Sequence, residues 1–145
     1  MHKLSAEDVI ARMRKNRQPC VETMGGEVLE VDPARGWIKM RWLARPEFCH
    51  SGNIVQGGFI TGMVDSAMAH AAMARGNFQM AVPTLEVKVS FFAPGHPGHM
   101  IAEGWVERWG RSTAFLEGKL YREDGEIVAK ASATARLVPA KPAHH

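Results

Sequence analysis

Apolar and polar residues alternate along much of the chain, and this period of two is typical of strands with one buried face. The alternation is most regular in 127–136, where an isoleucine and four alanines occupy every second position. Turn-forming residues separate neighbouring strands, as Asp124 and Gly125 do before the last one. Six segments are predicted to be strands: 21–31, 37–44, 82–92, 99–109, 112–122 and 127–136.

Two further segments have helical patterns. Ser5 is a favourable N-cap, acidic residues follow it in the first turn, and basic residues precede Asn16, as the helix dipole favours. A second helix is predicted from near Gly57 to about Ala74, and the residues at 75–77 end it. This segment is apolar on nearly all sides, so we expect its helix to be buried.

The predicted order is one helix, two strands, the apolar helix and four strands. The first two strands are expected to form a hairpin, followed by a loop over 45–55. The last four are expected to form an antiparallel meander, because short turns join them. In 82–92, strict alternation places Leu85 and Val87 on one face and Thr84 on the other. A long antiparallel sheet curled round one buried helix, with a short N-terminal helix, fits these patterns and belongs to the α+β class.

The chain has 145 residues, the size of one domain. We predict a single domain over 1–145 with its core at about 21–138, and we assign no function to 143–145. Hydrophobic residues make up 46% and charged residues 23%, which excludes a disordered or collagen-like chain. Two cysteines, Cys20 and Cys49, are too few for a disulfide framework. Because the first residues are acidic where a signal peptide is apolar, we expect a cytoplasmic protein.

The formal net charge is +3, and the 18 basic and 15 acidic residues are interleaved along the chain. Without a basic run, nucleic acid is not an expected partner, although a small anionic ligand is compatible with this charge. The most apolar window, 59–74, contains Asp65 and His70 and is shorter than a membrane span, so no membrane partner is expected. We expect His70 to be a core or interface residue. His96 and His99 lack a convincing acidic or cysteine partner, so no metal site is expected.

Gly57 and Gly58 begin the apolar helix, where backbone N–H groups have no acceptor within the helix. These N–H groups lie at the positive end of the helix dipole with no side chain in the way. They can therefore stabilise a developing oxyanion. Taken alone, the two glycines are explained more simply as a tight turn into the helix, because the motif is so short.

Asp65 lies in the middle of the apolar helix, where an ionised carboxylate is unfavourable unless it is paired or serves chemistry. Its neighbours one turn away are not cations, so any partner must come from another part of the fold. The alternative to a chemical role is a carboxylate that accepts hydrogen bonds from backbone or hydroxyl donors of the sheet. Gly57 and Asp65 are eight residues apart, which is roughly 12 Å along a helix, so they cannot contact one carbonyl together. They can share a site only if two helices run antiparallel past each other, which predicts a two-fold dimer.

Several motifs occur together in an order and spacing that resemble one family: 57–58, 63–67, 84–94, 110–112 and 124–125. From about Gly25 to Val138, the chain resembles the hotdog-fold acyl-CoA thioesterases of the PaaI-like, phenylacetate-pathway type. The resemblance implies a hotdog fold, in which a long antiparallel sheet wraps one central helix. It also implies hydrolysis of an acyl-CoA to the free acid and CoA, by a homodimer or a dimer of dimers.

The chain departs from the family pattern near the start of the helix. The family has His-Gly-Gly at the helix start, and this chain has Gln56 in place of that histidine. Six residues earlier the family has an asparagine, and this chain has His50. Gln56 can donate a hydrogen bond to a thioester carbonyl but cannot carry a proton. Asn53 is three residues closer to the helix than the family's asparagine. Either His50 or Asn53 would orient the water or contact the acyl group.

In the mechanism that the resemblance implies, the Gly57 N–H and the Gln56 side-chain amide polarise the thioester carbonyl. Asp65 of the partner subunit acts as a general base on water, or attacks the carbonyl directly to give a mixed anhydride. Thr84 hydrogen-bonds either to Asp65 or to the water.

The resemblance also implies where CoA binds. The phosphates and pantetheine arm would meet the segment of Gly110, Arg111, Ser112 and Thr113, together with Arg108 and Arg136. CoA is part of the substrate, so no separate cofactor is implied.

Three alternatives stay open. A non-hydrolytic acyl-CoA-binding protein on the same fold is favoured by the glutamine at position 56, where the family has histidine. A hotdog hydratase or dehydratase would use His50 as its proton carrier, although the helix start does not resemble those enzymes. A purely structural dimerisation module leaves Asp65 unexplained.

Overall fold

The computed structural model describes residues 2–141. Met1 and residues 142–145 lie outside the described residues, and so does the segment 143–145, to which we assign no function. The assignment of 1–145 to a single domain stays a prediction. In chain order, the helices and strands are α1 (Ala6–Lys15), α2 (Pro19–Thr23), β1 (Glu27–Asp32), β2 (Trp37–Ala44), β3 (Cys49–Ser51), β4 (Ile54–Val55), α3 (Gly57–Arg75), β5 (Met80–Ala81), β6 (Thr84–Phe91), β7 (Gly98–Trp109), β8 (Thr113–Arg122), β9 (Ile127–Arg136) and β10 (Val138–Pro139).

Helix α1 begins and ends where its sequence predicts. Ser5 Oγ accepts a hydrogen bond of 3.1 Å from the Asp8 N–H, and the Asp8 carboxylate accepts one of 3.4 Å from the Ser5 N–H. This reciprocal capping box satisfies two backbone donors that have no acceptor within the helix. Asn16 is the C-cap, so the predicted helix is confirmed.

The segment after α1 differs from the predicted strand over 21–31. Pro19 begins a short helix, α2, and the strand begins only at Glu27. Proline favours the first turn of a helix because its fixed φ suits the helix and its missing N–H is not needed there. Gly25 then turns the chain with a φ of 62°, a conformation that glycine adopts without strain.

The main sheet has six antiparallel strands in the order β1-β2-β7-β8-β9-β6. The predicted hairpin of β1 and β2 is confirmed, with Asp32 opposite Trp37. The predicted meander is only partly right, because β7, β8 and β9 follow one another but β6 pairs with β9. Both edges of β7 are already paired, with β2 and β8, so β6 takes the free edge of β9.

The segment 45–55 is not a plain loop. A 3₁₀ turn at Pro46–Phe48 leads into strands β3 and β4, which pair as a small antiparallel hairpin. Strand β5 follows α3 in the sequence, and β10 follows β9. These two strands pair as a second two-stranded sheet. These pairings are short, which explains why the sequence shows no alternation there.

Helix α3 lies buried against the main sheet, as its apolar sequence predicts. Gly104 on β7 permits close packing, since an added Cβ there would lie 2.7 Å from the backbone carbon of Ala67. Small side chains on β9 face the same helix, and the alanines at 129, 131, 133 and 135 are all buried. The sheet wrapped round one central helix is the predicted α+β architecture.

Among residues 2–141, no helix combines the length and the apolar composition that crossing a membrane requires.

Strand β6 contains a bulge that changes which side chains face α3. Thr84 pairs with Ala135, whereas Glu86 pairs with Thr134, so Leu85 is an extra residue in the ladder. Ala133, which pairs with Val87, is buried on the same face as Ala135. Thr84 and Val87 therefore share the helix-facing side, and the strict alternation predicted for this strand is wrong at Leu85.

Candidate active site

The turn into α3 offers two hydrogen-bond donors. Gln56 is the N-cap, and its Oε1 accepts a hydrogen bond of 2.5 Å from the Gly58 N–H. With Oε1 engaged, Nε2 of Gln56 is the side-chain atom that remains free to donate. The Gly57 N–H has no hydrogen-bond partner within 2–141. Both donors lie at the positive end of the α3 dipole, where an oxyanion is stabilised.

Phe91, at the end of β6, packs against this turn. An added Cβ at Gly57 would lie 3.1 Å from Cζ of Phe91, so the glycine lets the ring approach the helix. A cavity of about 450 Å³ lies beside this contact, and we call it the Gly57 cavity. Its mostly apolar lining includes His50, Ile54, Ile60, Phe91, Phe92 and Val128.

His50 and Asn53 differ in their position relative to the Gly57 cavity. His50 lines the cavity, and its Nδ1 lies 2.8 Å from Oγ of Ser51. Asn53 is in the turn between β3 and β4, does not line the cavity, and accepts a hydrogen bond at its carbonyl from His96 Nδ1. The structure therefore brings His50, rather than Asn53, to the cavity.

Asp65 is half-buried on α3 and has one hydrogen-bond donor from the sheet. Thr84 Oγ1 donates to Asp65 Oδ1 at 3.0 Å. No cation among residues 2–141 forms an ion pair with Asp65, and its Oδ2 accepts no hydrogen bond there. Of the two partners considered for Thr84, Asp65 and the water, the structure places Asp65 within hydrogen-bond distance, and one carboxylate oxygen has no partner within 2–141.

Gly57 and Asp65 do not converge within one chain. They are eight residues apart on the same helix, so about 12 Å of helix separates them. Gly57 contacts Phe91, the last residue of β6, whereas Asp65 bonds to Thr84, the first residue of that strand. The two groups therefore lie at opposite ends of β6.

The residues expected to meet CoA lie at the Asp65 end of the sheet. The Gly110 N–H donates to the Thr113 carbonyl at 2.8 Å and closes the turn between β7 and β8. Just inside this turn, Ala114 pairs with Ala135, which pairs in turn with Thr84. The residues Arg108, Arg111, Ser112 and Arg136 are exposed. Within 2–141, the guanidinium groups among them form no ion pair.

Sequence reasoning missed two residues near the Gly57 cavity. Phe91 enters the sequence prediction only as part of the strand 82–92, and its contact with Gly57 arises because β6 passes the start of α3. Ser51 was not singled out, although its hydroxyl contacts His50. Their only sequence signal was position, since Ser51 adjoins a candidate residue and Phe91 ends a predicted strand. Within 2–141, no three His, Cys, Asp or Glu side chains form a group that could hold a metal ion.

Comparison with known proteins agrees with this fold. The profile of the thioesterase superfamily matches residues 52–129, which include α3 and all of β6. A phenylacetic acid degradation-related protein from Ralstonia eutropha superposes with a TM-score of 0.80 at 28% identity, covering 88% of this chain and 98% of that one. A mutant of the phenylacetic acid degradation protein PaaI from Thermus thermophilus superposes at 0.72 and 25% identity, covering 82% and 98%.

Escherichia coli PaaI, from the phenylacetic acid degradation operon, has a TM-score of 0.80 over 90% of this chain and 92% of its own, at 17% identity. Its likeness supports the fold alone. A comparison with curated protein sequences finds no match.

The chain belongs to the thioesterase superfamily, and it is a PaaI-like member with a hotdog fold. Its activity is accordingly the hydrolysis of a thioester.

Proposed function

We propose that the protein hydrolyses acyl-CoA thioesters at a composite site, in which Gly57 of one subunit meets Asp65 of its partner in a homodimer. The observation that carries the proposal is the arrangement along β6. Thr84, at one end of the strand, hydrogen-bonds to Asp65, and Phe91, at the other end, packs on Gly57.

The exposed edge of β6 supports a dimer. This strand is the last of the main sheet, and its outer edge pairs with no strand within 2–141. Large apolar side chains beside that edge are exposed, with Leu85 at 62%, Phe91 at 54% and Phe92 at 61%. An open, apolar strand edge is a template for pairing with another chain, and a monomer rarely leaves one uncovered.

Antiparallel pairing of β6 with its copy would assemble the site. A two-fold axis at the middle of the strand brings the first residue of one copy beside the last residue of the other. Thr84 of one subunit would then lie near Phe91 of the partner subunit. Because these two residues hold Asp65 and Gly57 respectively, the carboxylate and the backbone donor would converge across the interface.

The proposed chemistry needs both groups. The thioester oxygen would accept hydrogen bonds from the Gly57 N–H and Gln56 Nε2, which stabilise the negative charge of the tetrahedral intermediate. Asp65 would take a proton from water as the water oxygen attacks the carbonyl carbon. The C–S bond then breaks, the CoA thiolate takes up a proton, and the free acid leaves. In the second route, the carboxylate itself attacks, and water hydrolyses the resulting anhydride.

The surroundings suggest how the substrate would bind. The apolar lining of the Gly57 cavity would hold the acyl group, with His50 near the carbonyl or the attacking water. The turn at 110–113, with Arg108, lies at the Asp65 end and would bind the pantetheine arm and phosphates of CoA. In this proposal the protein is a cytoplasmic homodimer or dimer of dimers, and it needs no cofactor beyond its substrate.

The activity is tested by incubating the purified protein with aryl-, short-chain and medium-chain acyl-CoAs and measuring free thiol. Asp65→Asn is expected to lower kcat at least 100-fold. Asp32→Asn, which makes the same change at the last residue of β1, serves as the matched control and should stay active. If no substrate releases thiol while acyl-CoA still binds to wild type and Asp65→Asn equally, the protein is a non-hydrolytic binder.

The composite site is tested by complementation. Gly57→Pro and Asp65→Asn subunits are co-expressed with different tags, after each has proved inactive alone. Random pairing makes half of the dimers mixed, and each mixed dimer holds one intact site. About a quarter of wild-type activity is therefore expected. A mixture as inactive as its components, with mixed dimers present, would show that both groups act within one chain.

A further inference from the structure

A second cavity, of about 230 Å³, lies between α1, α2, β1, β2 and α3. We call it the His70 cavity, and its floor, walls and mouth are formed by His70, Met40, Val21, Val28, Arg14 and Arg17. It shares no lining residue with the Gly57 cavity. Of these residues, only His70 falls within the segment 52–129 that matches the superfamily profile. The N-terminal part of the chain therefore builds most of this cavity.

The floor of the cavity presents one hydrogen-bond acceptor. His70 is only 6% exposed, and its Nδ1 lies 2.7 Å from the Ser66 carbonyl oxygen. A carbonyl oxygen can only accept, so Nδ1 carries the hydrogen and Nε2 carries a lone pair in the neutral ring. Nε2 has no hydrogen-bond partner within 2–141. Burial lowers the pKa of His70, which keeps the ring neutral near pH 7.

The mouth of the cavity carries an excess of positive charge. Arg14 Nη2 donates to the Val28 carbonyl at 3.2 Å, which holds that guanidinium at the rim, and its other donors have no partner among residues 2–141. Arg17 is exposed and has no ion-pair or hydrogen-bond partner within 2–141. Glu27 also lines the cavity, but its carboxylate is paired with Arg41 at 2.8 Å. Guanidinium groups with free donors suit a carboxylate.

The walls between mouth and floor are apolar. Met13, Val21, Val28 and Met40 are all buried and belong to the hydrophobic core. A ligand that fits this order of groups has an anionic end, an apolar middle and a hydrogen-bond donor at its far end. Ligand sites in proteins commonly combine apolar walls with a few convergent polar groups of this kind.

We propose that the His70 cavity binds a small hydroxy acid, with its carboxylate at Arg14 and Arg17 and its hydroxyl donating to Nε2 of His70. This site is separate from the thioester-hydrolysing site, and the proposal does not depend on the acyl-CoA substrate. An acid without a hydroxyl would leave Nε2 of His70 without a hydrogen-bond donor. The site should therefore bind the hydroxy acid more tightly than the unsubstituted acid.

The test uses matched pairs of probes and the full-length chain. Binding of 4-hydroxybutanoate, 6-hydroxyhexanoate and 8-hydroxyoctanoate is measured by calorimetry at pH 7.5, beside the unsubstituted acids of the same length. We expect at least one hydroxy acid to bind saturably and at least about fivefold more tightly than its unsubstituted partner. In the wild type, ¹⁵N NMR should show the Nε2 resonance of His70 shifting with that hydroxy acid only.

Variants locate the binding. Arg17→Gln should weaken the binding of the hydroxy acid about three- to tenfold. Arg35→Gln, the same change at an exposed arginine in the turn between β1 and β2, should leave it unchanged. His70→Leu should abolish the preference for the hydroxyl. Since Arg17 lines the His70 cavity and not the Gly57 cavity, Arg17→Gln should not change the rate of thioester hydrolysis.

Three results would each overturn the proposal. The first is that no probe binds saturably below about 10 mM. The second is equal affinity within every pair of acids, with no shift of the His70 resonance. The third is that Arg17→Gln binds as tightly as Arg35→Gln, which would place the acid elsewhere, for example at the Gly57 cavity. The NMR and Arg17 measurements do not require the His70 variant to fold.

Discussion

Thr84 donates a hydrogen bond to Asp65 across 3.0 Å, and it does so from the first residue of the strand at the edge of the main sheet. The bulge at Leu85 makes this possible, because it turns Thr84 toward α3 together with Val87. Strand β6 therefore orients Asp65, the carboxylate to which the family resemblance gives a catalytic role. The outer edge of the same strand is the one that we expect to form the dimer.

Thr84→Val should lower kcat/KM about tenfold, because it removes the hydroxyl donor to Asp65 while keeping the shape of the side chain. Thr84→Ser keeps the donor and should retain most of the activity. Both variants are measured by thiol release, with circular dichroism as a check on the fold. An equal loss in the two variants would mean that packing at this position matters, and not the hydrogen bond.

Gly57→Pro should lower kcat about 100- to 1,000-fold by removing one oxyanion donor. Proline is tolerated at the first position of a helix, and Gln56 before it has φ −65° and ψ 137°, which a following proline favours. Gly57→Ala adds the same Cβ beside Phe91 but keeps the N–H. It should therefore stay within a few-fold of wild type. Comparable losses in the two variants would assign the effect to crowding of Phe91.

Gln56→Glu should separate the capping role of this residue from its catalytic role. A glutamate keeps an oxygen for the Gly58 N–H and adds a negative charge at the helix N-terminus, so the melting temperature should stay equal or rise. The change removes the Nε2 donor and places a charge near the developing oxyanion. We expect kcat to fall at least tenfold. Full activity in this variant would remove Gln56 from the mechanism.

His70 should make the stability of the protein depend on pH. Burial lowers its pKa in the folded state below the ordinary value of 6.5, although the hydrogen bond to the Ser66 carbonyl opposes this shift. As the pH falls below 6.5, the unfolded chain takes up a proton that the folded chain does not. The free energy of unfolding then falls by up to about 1.4 kcal/mol per pH unit. The loss continues until the pH reaches the lower pKa of the folded state.

This prediction is checked by chemical denaturation between pH 5 and 8. His70→Gln should be less sensitive to acid than wild type in that range, whatever its stability at pH 8. His99→Gln, a matched change at an exposed histidine on β7, should behave like wild type. Identical pH dependence of wild type and His70→Gln would show that the ring does not gain its proton on unfolding.

Local features of the sequence predicted much of the fold. The capping residues Ser5 and Asn16 marked both ends of α1, and the alternating alanines of β9 marked its buried face. The apolar composition of α3 predicted its burial. Each of these features depends on neighbours within a few residues, so a single sequence is enough to recognise it.

One candidate chemical group could be recognised in the sequence for a similar reason. A carboxylate in an apolar helix is unusual in itself, so Asp65 is conspicuous in the sequence alone. The glycine pair is explained by a tight turn, and Gly57 becomes a candidate only through the family resemblance. The sequence did not decide between His50 and Asn53, because both lie in a segment without periodicity. Only the folded turn brings His50 to the Gly57 cavity.

The sequence by itself thus determined helices α1 and α3, the strands of the main sheet and the candidate chemical groups, whose signals are local. Tertiary structure decided that β6 lies at the sheet edge beside β9, that a bulge turns Thr84 toward Asp65, and that His70 faces a second cavity. Each of these depends on pairing or packing between segments far apart in the chain. Alternation within one strand cannot specify which strand lies beside it, nor where an extra residue interrupts the ladder.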